Sequence, residues 1–215
     1  MPSDFRFPPG LINSYHALAI LAGVAFLVAL LSPATVGGLG RYAGFLGPPL
    51  FLSTLALLSG LLGVHVGGAE AEWWEQRPLP PARALGRLAA LVGLGLGLFL
   101  PFVIAFRALV GGSWGGMAAV LGMSLMTGLA WAGAGFLASS AIKSGGIRFI
   151  GVYGFMIAVY FVPLVAALPI SPIPTVTSLW RGDLKPGLVG LAFWCGLAAL
   201  SLGGVWLWTR SRFWR

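Results

Sequence analysis

Long, nearly uninterrupted apolar runs dominate this chain, and short polar stretches separate them. A helix that crosses a bilayer needs about 20 mostly apolar residues. Six runs meet that length: residues 11–31, 43–66, 84–106, 117–142, 149–168 and 187–208. Apolar residues are continuous within them and do not alternate, which favours helices over barrel strands. We therefore predict an all-α, polytopic membrane protein with six transmembrane helices.

The composition agrees with this pattern and leaves no room for a separate soluble domain. Of the 215 residues, 58% are hydrophobic and 8% are charged, whereas soluble domains carry about 25% charged residues. We predict a single transmembrane domain over residues 1–215. The first ten residues lack the basic start and the cleavage pattern of a signal peptide, so we expect the first run to be retained. The expected location is the cell inner (plasma) membrane, with multiple passes.

Lysine and arginine positions predict the orientation of the helices. With the N-terminus inside, nine of the 13 Lys and Arg residues fall on the cytoplasmic side. This bias predicts that both ends are cytoplasmic, N-in and C-in. The net charge of +8 is scattered singly and forms no basic stripe, so we expect lipid and not nucleic acid as a partner. The lone Cys195 excludes a disulfide framework and is expected to be a small buried hydrophobe.

One polar stretch, residues 69–88, stands apart and is called the elbow below. It holds three of the five acids, three arginines and three prolines. The spacing of its acids places them on neighbouring turns of a helix that extends out of the second span, and its prolines should break that helix. We predict a cytosolic docking surface with solvated charges. Its candidate contact residues are Glu70, Glu72, Glu75, Arg77 and Arg83. The alternative is a solvated loop whose charges only fix topology.

Residues 169–186 form a second unusual stretch, apolar as far as Trp180 but rich in proline. Pro169, Pro172 and Pro174 are expected to preclude a regular helix. Irregular backbone at membrane depth survives only where protein covers it or where it lines a cavity. We therefore predict a partly re-entrant outer segment that acts as an external gate, with those prolines and Trp180 as its residues. An ordinary short loop is the alternative.

Several kinds of chemistry are missing from the sequence. No glycine loop ends in the Gly-Lys-Ser/Thr of a phosphate-binding P-loop, so any ATP must be bound by another chain. No acid lies near the middle of a span, which argues against a proton-coupled transporter. No catalytic or metal-binding constellation is present, and we do not expect an enzyme.

Two histidines and several glycines leave further alternatives open. His16 and His65 both fall toward the cytoplasmic face and could ligate a haem between two helices, or could simply hydrogen bond to backbone or water. The pairs Gly63/Gly67 and Gly93/Gly97 have the spacing that lets helices pack closely.

With the elbow and several shorter motifs, the chain resembles the permeases of the type-2 ABC transporter (exporter) family. Glu70 and Glu72 correspond to that family's acidic pair, and Trp73-Trp74 replaces its usual Gly-Thr. Further matching elements are Pro80-Pro81-Ala82-Arg83, Gly86-Arg87-Leu88, Gly47-Pro48-Pro49-Leu50, Gly135 to Ala141, and the arginine-rich end Arg210 to Arg215. The resemblance spans residues 43–215.

The resemblance implies an ATP-driven export system. Two permease subunits, identical or different, would stand side by side above a cytosolic ABC ATPase dimer, and the elbow would contact the ATPase. ATP and Mg would bind to that partner, with no cofactor in this chain. The alternative function is a non-transporting membrane anchor subunit of a respiratory or other complex, possibly associated with haem or quinone.

Overall fold

The computed structural model describes residues 7, 8, 10–31 and 48–213, which form eight α-helices and no strand. The helices are α1 Leu11–Leu31, α2 Pro48–Gln76, α3 Pro81–Gly97, α4 Leu100–Val110, α5 Trp114–Ala141, α6 Gly145–Val165, α7 Pro172–Arg181 and α8 Leu184–Phe213. The start of the predicted second span, residues 43–47, and the charged positions Arg6, Arg41 and Arg215 lie outside the described residues.

Five of these helices are long and apolar enough to cross a membrane: α1, α2, α5, α6 and α8. Helices α3 and α4 qualify only as a pair, bent by 42°, which raises the number of possible spans to six. The prediction of an all-α chain with several helices long enough to cross a membrane is therefore confirmed.

The predicted third span, residues 84–106, is not one continuous helix. Leu98 and Phe99 donate backbone hydrogen bonds to Gly95 and Leu96, three residues back, which marks the end of α3. Pro101 then stands in the first turn of α4. Proline lacks the N–H that would continue the helical ladder, and its ring crowds the preceding turn. The break between α3 and α4 follows from that residue.

Small residues bring α2 and α5 into close contact at the centre of the bundle. A Cβ on Gly63 or Gly67 would overlap backbone carbonyl oxygens of α5, at Gly128 and Ala132 respectively. Only glycine permits this approach, so the predicted packing role of Gly63/Gly67 is confirmed. An added Cβ at Gly93 or Gly97 would meet no atom within 4 Å in the part of the chain that the structure describes, so this pair brings no described helix into close contact.

An aromatic cluster around Tyr160 and Trp194 joins α2, α5, α6 and α8. The Tyr160 hydroxyl donates to the Ala56 carbonyl over 3.0 Å, and the Tyr160 ring lies 5.9 Å from that of Trp194. Trp194 Nε1 donates to the Ile170 carbonyl at 2.9 Å. The Ser171 hydroxyl donates to the Tyr160 carbonyl over 2.8 Å. The chain that follows α6 therefore doubles back to the level of this cluster before α7 begins.

The expectation that prolines preclude a helix in residues 169–186 was wrong. Helix α7 runs through Pro172–Arg181, with Pro172 and Pro174 in its first turn. The N–H groups of a first turn have no helical partner in any case, so proline is tolerated there. Its buried apolar residues Val176, Leu179 and Trp180 pack α7 against α2, α5 and α8.

The helices place the elbow and α7 at opposite ends of the bundle. Helix α2 ends, and α3 begins, at the elbow; this end of the bundle is called the elbow end below. Helix α4 ends and α5 begins at the other, or far, end. Trp180 of α7 contacts Gly112 in the connection between α4 and α5, so α7 reaches the far end.

Cys195 is exposed on α8, contrary to the expectation that it would be buried.

Candidate functional site

The elbow is a sharp, braced connection between two helices. Helix α2 continues to Gln76, and α3 starts at Pro81, so the predicted helix extension and its break at the prolines are present. Trp74 Nε1 donates to the Leu79 carbonyl at 3.1 Å across the turn. Both Trp74 and Pro81 are buried. The connection is therefore held by packing and by a hydrogen bond on its inner side.

A buried ion pair forms the base of the elbow. Arg87 Nε lies 3.0 Å and 2.7 Å from the two carboxylate oxygens of Glu70. The two residues are 7% and 3% exposed, so the expectation that Glu70 is solvated was wrong. The Arg87 guanidinium also lies over the Trp73 ring, 4.1 Å from its centroid. A carboxylate buried and paired in this way is not free to contact another protein.

Sequence reasoning did not single out Arg87 as a partner of Glu70. The two residues are 17 positions apart and belong to different helices. No local spacing rule connects such positions, since helical pairing rules reach only three or four residues along the chain. The one feature of the sequence that could have pointed to this ion pair was an arginine, Arg87, near the start of an apolar span.

The other two acids of the elbow pair with Lys143 in the connection between α5 and α6 and with Arg148 in the first turn of α6. Lys143 Nζ donates to Glu75 Oε1 at 2.6 Å, and Arg148 donates through Nη2 to Glu72 Oε1 at 3.3 Å. These pairs are largely exposed to solvent, where single pairs contribute little to stability. Together they nevertheless orient the elbow toward the start of α6.

With the three acids paired inside the chain, arginines make up the free charge of the elbow. Arg77 and Arg83 are exposed, and neither takes part in an ion pair within the part of the chain that the structure describes. Arg210 and Arg212 are exposed at the end of α8, on the same end of the bundle. The elbow end thus presents a basic surface, although its sequence mixes acids and bases.

The predicted gate residues lie together at and before α7. Pro172 is buried and Pro174 half-buried. The Pro169 carbonyl accepts a hydrogen bond from Thr175 Oγ1 at 3.3 Å. Trp180 is 8% exposed, and its ring lies 5.4 Å from that of Phe106. This segment is packed against protein, while its role as a gate stays a prediction.

The structure does not bring the two histidines to one pocket. His65 is exposed, its Nδ1 lies 2.8 Å from the Leu61 carbonyl of its own helix, and its ring meets Tyr153 at 6.2 Å. His16 is exposed on α1 and does not line the cavity that His65 borders. No group of three His, Cys, Asp or Glu residues within the described ranges could hold a metal ion.

A cavity of ≈ 360 Å³ lies beside the elbow. It is bounded by the start of α1, the elbow ends of α2 and α5, and the start of α6. Its polar lining residues are Ser14, His65, Glu72, Ser139, Arg148 and Tyr153. Two of these, Glu72 and Arg148, form one of the ion pairs described above.

Comparison with known proteins adds no relative. No protein-family model, no curated protein and no solved structure matches the chain. A functional interpretation therefore depends on the chain's own residues. These are the braced elbow, its exposed arginines Arg77 and Arg83, called the tip below, and the adjoining cavity.

Proposed function

We propose that this chain is the transmembrane permease subunit of an ATP-driven ABC export system. In this proposal it pairs with a second permease subunit and docks through the elbow on a cytosolic ATPase dimer, which binds ATP and Mg. The proposal includes six spans with both ends in the cytoplasm, an arrangement that would put the elbow on the ATPase side. The observation that carries the proposal is the braced elbow, because a docking surface that transmits force must be rigid.

The contacts of the elbow favour such transmission. The Glu70–Arg87 pair ties α2 to α3. The Glu72–Arg148 pair ties α2 to the start of α6, and the Glu75–Lys143 pair ties α2 to the α5–α6 connection. A push on the tip would therefore act on four helices at once. ATP binding could shift an equilibrium between inward-open and outward-open arrangements, provided that the ATPase binds the two arrangements with different affinity.

Bundle packing suggests how movement at the elbow could reach the far end. Helices α2 and α5 are held together by the close contact at Gly63 and Gly67, so they would move as one body. Helix α7 packs on both α2 and α5. Tilting this pair would shift α7, which we propose as part of the external gate with Pro169, Pro172, Pro174 and Trp180.

The partner surface is expected to be acidic. Arg77 and Arg83 are the exposed charges of the elbow tip, while the three acids are occupied by internal pairs. Complementary charge steers association and suppresses wrong partners. Exposed charges are also screened by salt, so the association should weaken as ionic strength rises.

The test is to purify the chain from its native membrane and to measure the Mg-dependent ATPase activity that co-purifies with it. Arg77→Glu/Arg83→Glu should lower the co-purified activity about tenfold or more, because like charges at a docking surface are repulsive. The matched control is Arg181→Glu/Lys185→Glu, which makes the same charge change at two exposed far-end residues and should retain the activity.

Two outcomes would contradict the permease proposal. If no ATP hydrolysis co-purifies with the unaltered chain at low salt, the proposal fails. A haem Soret band in that preparation would then favour the membrane-anchor alternative. Equal loss of activity in both double variants would show that the elbow has no special part in docking.

A further inference from the structure

The cavity beside the elbow has the size of a headgroup site. Its ≈ 360 Å³ is near the lower limit of ligand pockets, about 300–1,000 Å³. It could hold a polar headgroup but not a whole two-chain lipid. It lies where α6 begins, close to the expected membrane surface on the elbow end.

One side of the cavity is suited to a phosphate. Arg148 lines it, and that guanidinium uses Nη2 for Glu72, which leaves other N–H donors of its fork for an anion. Gly145 also lines the cavity at the first turn of α6, a 21-residue helix without a side-chain cap. Backbone N–H groups at such a helix start favour anions.

A hydroxyl that opens on the cavity supports the same assignment. Ser139 of α5 lines the cavity and is 8% exposed. Within the described ranges its hydroxyl has no hydrogen-bond partner. A serine hydroxyl can both donate and accept a hydrogen bond, so this unpartnered group, which opens on the cavity, is available to a ligand there.

A negative charge beside the arginine makes the site suited to a zwitterion. The Glu72 side chain is 64% exposed, lines the cavity, and lies 3.3 Å from Arg148. A purely anionic ligand would meet repulsion from this carboxylate. A ligand with an ammonium group next to its phosphate would satisfy both charges.

The surroundings of the cavity favour a lipid over a soluble zwitterion. Phe149 lines the cavity and is 62% exposed, and Val152 and Tyr153 line it one turn further along α6. The neighbouring Ile150 is 73% exposed. This apolar, outward-facing side of α6 provides a surface along which acyl chains can lie in the bilayer.

We propose that this cavity binds the headgroup of a zwitterionic phospholipid with a primary ammonium, as in phosphatidylethanolamine. Arg148, Ser139 and the start of α6 hold the phosphate, and Glu72 accepts hydrogen bonds from the ammonium. The acyl chains lie along α6. This inference does not depend on the proposed transport function.

The test measures lipid binding to the full-length, delipidated protein in detergent by native mass spectrometry. The unaltered protein should bind phosphatidylethanolamine about tenfold more tightly than phosphatidylglycerol, which lacks the ammonium, or phosphatidylcholine, whose quaternary ammonium donates no hydrogen bond. Arg148→Gln should weaken phosphatidylethanolamine binding about tenfold, because a charge-assisted phosphate contact is lost. Glu72→Gln should remove the preference over phosphatidylglycerol.

The controls separate headgroup recognition from general effects. Arg181→Gln removes one exposed positive charge at the far end and should leave lipid binding unchanged. Equal binding of the three lipids, or unchanged binding in both cavity variants, overturns the proposal. If soluble phosphoethanolamine or inorganic phosphate binds as tightly as the lipid, the ligand is a soluble ion and the lipid assignment is overturned.

Discussion

The Glu70 carboxylate and the Arg87 guanidinium form a buried ion pair, with Arg87 Nε 2.7 Å from the nearer oxygen. Their side chains are 5% and 6% exposed. The pair joins the last turns of α2 to the first turns of α3. The buried pair holds the base of the elbow, whereas Arg77 and Arg83 at its tip are exposed.

Removing one member of this pair should destabilise the protein. Glu70→Gln leaves the Arg87 charge buried without its counter-charge, and breaking a buried pair costs about 3–5 kcal/mol. We expect a clear drop in the temperature of unfolding, measured on purified protein in detergent. Glu72→Gln is the matched control, because it removes an exposed pair worth about 1 kcal/mol or less.

The swapped pair Glu70→Arg/Arg87→Glu provides a second check. It should recover part of the stability that Glu70→Arg alone loses, since opposite charges again face each other. Equal thermal stability of Glu70→Gln and Glu72→Gln would show that the buried pair does not hold the elbow.

Glycine is required where α2 and α5 touch. Gly67→Ala places a Cβ against the Ala132 carbonyl oxygen, and overpacking of this kind costs about 1–3 kcal/mol. We expect a lower unfolding temperature and a lower yield of folded protein. Gly93→Ala, on α3, meets open space and should change neither. If Gly67→Ala is as stable as Gly93→Ala, the close helix contact is not present in solution.

The segment before α7 should depend on the Trp194 hydrogen bond. Trp194→Phe removes the Nε1 donor to the part-buried Ile170 carbonyl, and the loss of such a hydrogen bond costs about 1 kcal/mol. Proteolysis of the 166–171 connection in detergent should become faster. Trp206→Phe changes a more exposed tryptophan of the same helix and should leave the proteolysis rate as it was.

Labelling from one side of the membrane tests the predicted orientation. In a Cys195→Ala background, Ala82→Cys lies at the elbow and Lys185→Cys at the far end, and both positions are exposed. A membrane-impermeant maleimide added to intact cells should label Lys185→Cys and spare Ala82→Cys until the cells are opened. Labelling of both, or of Ala82→Cys alone, in intact cells would overturn the N-in, C-in topology.

The sequence determined those features that depend on neighbouring residues along the chain. Continuous apolar runs of sufficient length indicate membrane helices, because every backbone group must be paired within its own segment in lipid. Pro78 and Pro80 indicated the break between α2 and α3 because proline cannot continue a helix. The same rule failed at Pro172 and Pro174, where the helix starts at the prolines and needs no N–H from them.

Tertiary structure alone decided which of the charged residues are available to a partner. The sequence alone does not distinguish Glu70, Glu72 and Glu75, which lie within six residues of one another. Their partners lie 17, 76 and 68 residues away on other segments. Such pairs exist only after the helices are arranged side by side, so no local pattern predicts them. The same arrangement places Ser139, Arg148 and Glu72 around one cavity, because α2, α5 and α6 meet at the elbow end.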